Sequence, residues 1–219
     1  MKKLLSVHAN IDDENNQGET ALYVASVAGN ARVVSLLLES GANPMISKPT
    51  DECGRFPMHC ACQLGHLDVV KVFLAKNREW KDLPSASSTM VTGKLSSSTP
   101  LSFAAAEGRC EIVKVLLESG ADKDKPNKRG MTPRHFACYE GRVGIVRALL
   151  DAGADKDKQE DEEGRTPLHI ASEFGHVDIV KALLCCGADK NKQNNIGWTP
   201  LHFASHQGYE DIIKVLLSV

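Results

Sequence analysis

The sequence has no excess of either charge: its 219 residues carry 26 lysines and arginines against 28 aspartates and glutamates, a formal net charge of -2. No global field therefore draws the chain to nucleic acid or to an anionic membrane, and neither is expected as a partner. No apolar run approaches the length of a membrane span, so membrane insertion is not expected. The start, MKKLLSV, has too few apolar residues after its two lysines for a secretory signal, and Lys2 stands where N-myristoylation would need glycine. Seven cysteines, an odd number, show none of the spacing of a secreted disulfide scaffold, so a cytoplasmic or nuclear location is expected.

The usual catalytic signatures are missing as well. There is no glycine-rich phosphate loop, no pair of carboxylates in a recurring frame and no Ser/His/Asp arrangement, so we expect no catalytic residue, no cofactor and no small-molecule substrate. With 42% hydrophobic and 25% charged residues, the chain is nonetheless of ordinary composition for a folded protein.

What is present is repetition. Segments beginning TPLSFAAAEG at Thr99, TPRHFACYEG at Thr132, TPLHIASEFG at Thr166 and TPLHFASHQG at Thr199 align without gaps, and weaker copies begin at Thr20 and Phe56. The starts lie 36, 43, 33, 34 and 33 residues apart. Each unit reads as two helices. Thr99, Thr132, Thr166 and Thr199 suit N-caps, with proline following at the first helical position. Glycines such as Gly108, Gly141 and Gly175 close the first helix, and Gly120, Gly153 and Gly187 the second. The second helix carries an apolar stripe such as Ile179, Val180, Leu183 and Leu184, with an acidic residue near its start at Asp68, Glu111, Asp178 and Asp211. Neither helix is long enough to stand alone, so stacking must supply the core.

These motifs resemble the ankyrin-repeat family over nearly the whole chain. The resemblance implies an all-α repeat solenoid of helix pairs with projecting β-hairpin fingers, and binding of another protein through the face that fingers and first helices share. The expected organisation is a partial repeat or cap over residues 1–16, then repeats over 17–51, 52–84, 95–127, 128–160, 161–194 and 195–219. Residues 2–5 read as the last turn of an incomplete unit. Departures from the pattern are Ala21 for proline, Phe56 for threonine, Arg134 for leucine and Ser97 where glycine is usual; with Asn77-Arg78 in place of Gly-Ala, the second unit should be irregular.

Residues 84–98 form an insertion rich in serine and threonine, eight of the fourteen residues from 85 to 98, and read as a loop that adds nothing to the core. Two readings stand: a tolerated flexible finger, or a cluster of phosphorylation sites at the groove's edge. His59, His135, His169 and His202 recur three residues after the cap, which marks a structural part bonding neighbouring fingers rather than a catalyst. Cys53, His59, Cys60, Cys62 and His66 are the best metal candidates, but Cys60 falls at a core position and the set lacks paired zinc-ligand spacing, so no metal is expected. Cys185 and Cys186, at a helix end, read as exposed thiols.

The leading functional expectation is a protein-binding module, monomeric and not an enzyme; the alternative is the targeting or regulatory part of a larger kinase, acyltransferase, ubiquitin ligase or channel. Positions free of structural duty point to the binding face: Arg55, Met131, Arg165 and Trp198 at finger tips, and Tyr139-Glu140, Glu173-Phe174 and His206-Gln207 on first helices, with Arg129 counted among the contact residues. Tyr139, Phe174 and Trp198 are expected to form one strip bordered by Met131, Arg165 and Ile196, the alternative being that each aromatic covers a neighbouring helix end or finger. The basic stretch 123–129 and the acidic stretch 160–163 are expected to neighbour one another as a patch of alternating sign.

Overall fold

The computed structural model describes residues 10–47, 54–86 and 95–218, so the turn expected at residues 2–5, Cys53 and the interior of the serine-rich insertion lie outside the described residues. Within them the chain forms twelve α-helices in pairs: α1 (Ala21–Val27) with α2 (Ala31–Glu39), α3 (Pro57–Leu64) with α4 (Leu67–Lys76), α5 (Pro100–Ala106) with α6 (Cys110–Glu118), α7 (Pro133–Tyr139) with α8 (Val143–Asp151), α9 (Pro167–Glu173) with α10 (Val177–Cys185), and α11 (Pro200–Gln207) with α12 (Glu210–Ser218). Odd-numbered helices pack on one another in one layer and even-numbered helices in a second.

The caps work as the sequence implies, with one addition. Thr20, Thr99 and Thr166 accept the N–H of Tyr23, Ser102 and His169 at 3.2, 3.3 and 3.4 Å. At Thr132 and Thr166 the hydroxyl and the backbone N–H both donate to Nδ1 of the histidine three residues on. The core is what the stripes dictate: α5 is buried along its whole length, and α10 buries Ile179, Val180, Leu183 and Leu184.

Three contacts recur between units. At four of the junctions the side chain after the turn glycine reaches back over the preceding unit's glycine and donates to a carbonyl of that unit's first helix: His66 to Val27 at 2.8 Å, Arg109 to Gln63 at 2.9 Å, Arg142 to Ala106 at 3.0 Å, His176 to Tyr139 at 3.3 Å. A carboxylate ladder runs along the opposite edge, where Asp12, Asp82, Asp124 and Asp157 accept the N–H of Asn43, Asp122, Asp155 and Asp189 at 2.8–2.9 Å. Beside it, Lys81, Lys123 and Lys156 lie against Gly120, Gly153 and Gly187. The recurring ADKDK chemistry, which reads as solvated charge in the sequence, is thus a fastening.

The fingers differ from the expected β-hairpins, since no strand occurs among the described residues. The fingers before α7, α9 and α11 are tight turns, each closed by its own side chain. Asn127 Oδ1 accepts the N–H groups of Arg129 and Met131, and Asn194 Oδ1 those of Ile196 and Trp198. The turn between them has one extra residue, and there the longer Glu160 takes the N–H groups of Glu162, Glu163 and Arg165. That extra residue accounts for the 34-residue spacing. Single backbone bonds join the fingers: Asp161 to Arg129 and Asn195 to Glu163, both at 2.9 Å.

The irregular second unit is repaired rather than left loose. A 3-10 turn, Arg78–Asp82, follows α4; Asn77 caps it by accepting from Glu79 at 2.8 Å, and Trp80 packs edge-on against Phe73 with centroids 5.8 Å apart. The turn delivers Asp82 to the carboxylate ladder. The feet of the insertion are also structural, contrary to the expectation of a loop outside the core. Ser85, Ser97 and Ser98 are buried, Ser85 N–H donates to the Ser98 carbonyl at 2.8 Å, and Ala86 N–H donates to that of Gly54 at 2.7 Å. Ser97, at φ 58°, is the one non-glycine with positive φ among the described residues.

Arg134 carries the one buried cation among the described residues whose guanidinium or amine has no hydrogen-bond partner at all. Its side chain is 1% exposed, no nitrogen of its guanidinium has a hydrogen-bond partner, and burial pushes its pKa down. Replacing it with the leucine of the repeat pattern removes the unpaired cation, so Arg134→Leu should raise stability by about 1–4 kcal/mol; a urea midpoint at or below that of the parent protein would contradict this. Gly141 and Gly41 provide a paired test of the inter-unit contact. Both have positive φ, but a Cβ on Gly141 would lie 2.8 Å from the His176 ring, whereas nothing stands within 4 Å of one on Gly41. Both alanine variants carry the left-handed cost of about 1 kcal/mol; Gly141→Ala must also displace His176, and should unfold at the lower denaturant concentration.

Candidate functional site

The expected site residues lie on the finger turns and at the ends of the odd-numbered helices, and one rule places them. In three of the units the residue just before the cap meets the residue eight positions later, at the end of its own first helix. Arg55 Nη1 donates to Gln63 Oε1, Arg165 Nη1 donates to Glu173 at 2.9 Å, and Trp198 packs on His206 with centroids 5.6 Å apart.

Two aromatic clusters result. Tyr139 and Phe174, at non-equivalent positions of successive units, meet diagonally at 4.4 Å between centroids. Trp198 stands among His202, Phe203 and His206, at 6.2, 5.1 and 5.6 Å. Trp198 is half-buried, His206 is exposed, and Ile196, beside them on the finger, is 72% exposed. Arg165 sits in the intervening unit, held by Glu160, Glu163 and Glu173 at 3.6, 3.3 and 2.9 Å. None of these three carboxylates was expected as a partner of Arg165; the eight-residue offset within a unit is the signal that could have found Glu173.

Other expected members fall elsewhere. Met131 is 6% exposed and part of the hydrophobic core, which corrects its placement at the surface: burying its apolar side chain removes it from water. Arg55 lies at the second unit, where Gln63 bridges it to Glu107 at 2.9 Å. Arg129 grips Glu162 with two nitrogens, Nε at 2.6 Å, so the basic and acidic stretches do adjoin. The hydrogen bond from Arg129 holds the Glu162 carboxyl below its usual range.

The residues considered for metal or catalysis are occupied structurally. His59 Nε2 donates to the Leu83 carbonyl at 2.8 Å, His66 covers Gly29, and Cys60 and Cys62 are buried, with burial pushing the Cys62 thiol up. Cys185 and Cys186 are exposed. Among the described residues no group of histidine, cysteine and carboxylate side chains converges as a metal site, and no helix is long and apolar enough to cross a membrane. A cleft of about 640 Å³ beside Phe56 and Leu83 offers Lys125 and Lys128 but, among its described lining residues, no carboxylate, histidine or thiol to act as a base.

A family model described as ankyrin repeats (3 copies) matches residues 1–82, 45–127, 101–194 and 159–219. The chain belongs to the ankyrin-repeat family. It is 32% identical over 132 residues to human transient receptor potential cation channel subfamily A member 1, covering 58% of this chain and 11% of the channel. It is 33% identical over 129 residues to human ankyrin repeat domain-containing protein 63, covering 55% and 30%, and 31% identical over 109 residues to pig NF-kappa-B inhibitor alpha, covering 50% and 32%. The chain thus spans less than a third of the length of each of these two and a tenth of the channel. Ankyrin repeats are generally protein-interaction modules.

The repeat histidines give this ankyrin array a pH dependence. His135 Nε2 donates to the Lys158 carbonyl at 2.9 Å and His169 Nε2 to that of Trp198 at 3.0 Å, which fixes both rings in the neutral form with Nδ1 as acceptor. Burial lowers the pKa of His135 to about 4 from 6.5, and lowers that of His169 as well. Between those values the unfolded chain binds a proton at this position that the folded chain refuses. The stabilisation is therefore complete above pH 6.5 and lost as the pH falls towards 4, about 3 kcal/mol for His135 alone. Urea denaturation across this interval should show a shallower pH slope in His135→Asn than in the parent; equal slopes would refute the assignment.

Proposed function

We propose that the chain is a non-enzymatic recognition module that holds a partner protein on the face carrying Tyr139, Phe174, Trp198, Ile196 and His206, with Arg165 between the two clusters. The observation that carries this reading is the exposure of Ile196, 72%, next to the half-buried Trp198 on a finger turn whose geometry is already closed by Asn194. The turn itself is closed through the amide groups of those residues, and the Ile196 side chain takes no part in it. Large aromatic side chains on a rigid frame are the type that anchors protein interfaces. Arg129, held by Glu162, borders the face, and Arg55 stands apart at the second unit. Within this reading the array acts as a monomer, in the cytoplasm or nucleus.

A second reading makes the array the targeting or regulatory part of a larger protein. It is favoured by the human channel, of which the matched region is only 11%. Both readings use the same face. Affinity capture on the folded chain, identified by mass spectrometry, supplies the partner, and alanine variants then test the face. Trp198→Ala or Phe174→Ala should weaken binding by about 2 kcal/mol or more while circular dichroism stays unchanged. Undiminished binding by both folded variants would reject the strip.

A further inference from the structure

The geometry points to a basic segment of the partner, bearing an apolar anchor, as what docks on this face; the inference rests on the strip proposed above. The charge follows from how the cations there are used. Arg165 alone faces three carboxylates, Glu160, Glu163 and Glu173, within 3.6 Å, which leaves the group negative. Arg129 is paired with both oxygens of Glu162. With Arg142, which donates to the Ala106 carbonyl and keeps its charge, and the exposed Lys128 counted in full, the four cations (with Arg129 and Arg165) still fall short of the six carboxylates Glu140, Glu160, Asp161, Glu162, Glu163 and Glu173. Asp161, Glu163 and Glu140 remain exposed, Glu163 with 57% of its side chain in solvent.

The acidic surplus is not a free-standing cluster, because it flanks apolar side chains in a fixed order. Glu173 precedes Phe174 in the chain and is bonded to Arg165, while Phe174 packs on Tyr139, the residue before Glu140. The finger carrying Asp161 and Glu163 is tied by backbone to the next finger through Asn195, the neighbour of the 72%-exposed Ile196. Negative potential thus lies over the middle unit, with apolar contact surface on both sides of it. An acidic segment would meet uncompensated like charge. A segment with arginine or lysine next to a leucine or aromatic residue would meet carboxylates and ring faces together.

Two pools of short synthetic peptides test this on the whole chain by titration calorimetry: one with arginine and lysine flanking a central leucine or phenylalanine, one with aspartate and glutamate at the same flanks. The basic pool should bind, weaken as salt is raised, and lose about tenfold or more in affinity to the folded double variant Asp161→Lys, Glu163→Lys. Preference for the acidic pool, lost in Trp198→Ala, would overturn the charge inference and leave the strip standing. Basic-pool binding undiminished by Trp198→Ala and Phe174→Ala would overturn the strip itself. Binding by neither pool, or equal binding by the charge-reversed variant, would overturn the inference.

Discussion

A helix as short as Pro167–Glu173 cannot hold itself together in water, and its partner Val177–Cys185 is little longer. Everything else in the molecule follows from the need to cover each helix pair with the next. The apolar stripes provide the area, but area alone allows neighbouring units to slide. Register comes from the polar contacts: a ring or guanidinium laid over the preceding turn glycine on one edge, and an aspartate accepting the next unit's amide on the other. The glycine is needed twice, once for its positive φ and once because the neighbouring side chain occupies the space a Cβ would take.

Such an array sums local stabilities with nearest-neighbour terms, which explains how it tolerates the buried cation of Arg134. The fourth unit is covered on both sides, by α5 with α6 and by α9 with α10. The cost stays local and is shared by complete neighbours. The same logic explains the second unit, where the missing Gly-Ala is replaced by a capped 3-10 turn that still presents Asp82 to the ladder.

Much of this was legible in the sequence. The helix pairs, caps, turn glycines and buried stripes could be read because each depends on a few residues close together in one unit and is repeated. The histidine's role was readable for the same reason: a residue that recurs at one position in four of the six units serves the frame. Three things were not legible. Lys-Asp pairs look solvated unless the next unit's amide is known to stand opposite. Serines such as Ser85 and Ser98 look like loop residues, and only the hydrogen bond between them brings them into the finger. Met131 was placed at the surface by analogy with Arg165 and Trp198, although its apolar side chain turns inward where theirs meet the helix end.

The site was less legible than the fold because it is made of residues the repeat does not constrain. Tyr139 and Phe174 hold non-equivalent positions, so alignment of the units separates two side chains that geometry brings to 4.4 Å. Charge shows the same effect. The whole chain is nearly neutral at -2, yet neutrality is reached by pairs spent inside the frame, such as Arg129 with Glu162 and the lysines beside the ladder aspartates. What remains exposed on the middle unit of the face is acidic, through Asp161 and Glu163. Net charge therefore bears on long-range attraction to nucleic acid or membrane, whereas the local surplus left after structural pairing decides which segment can rest on the face.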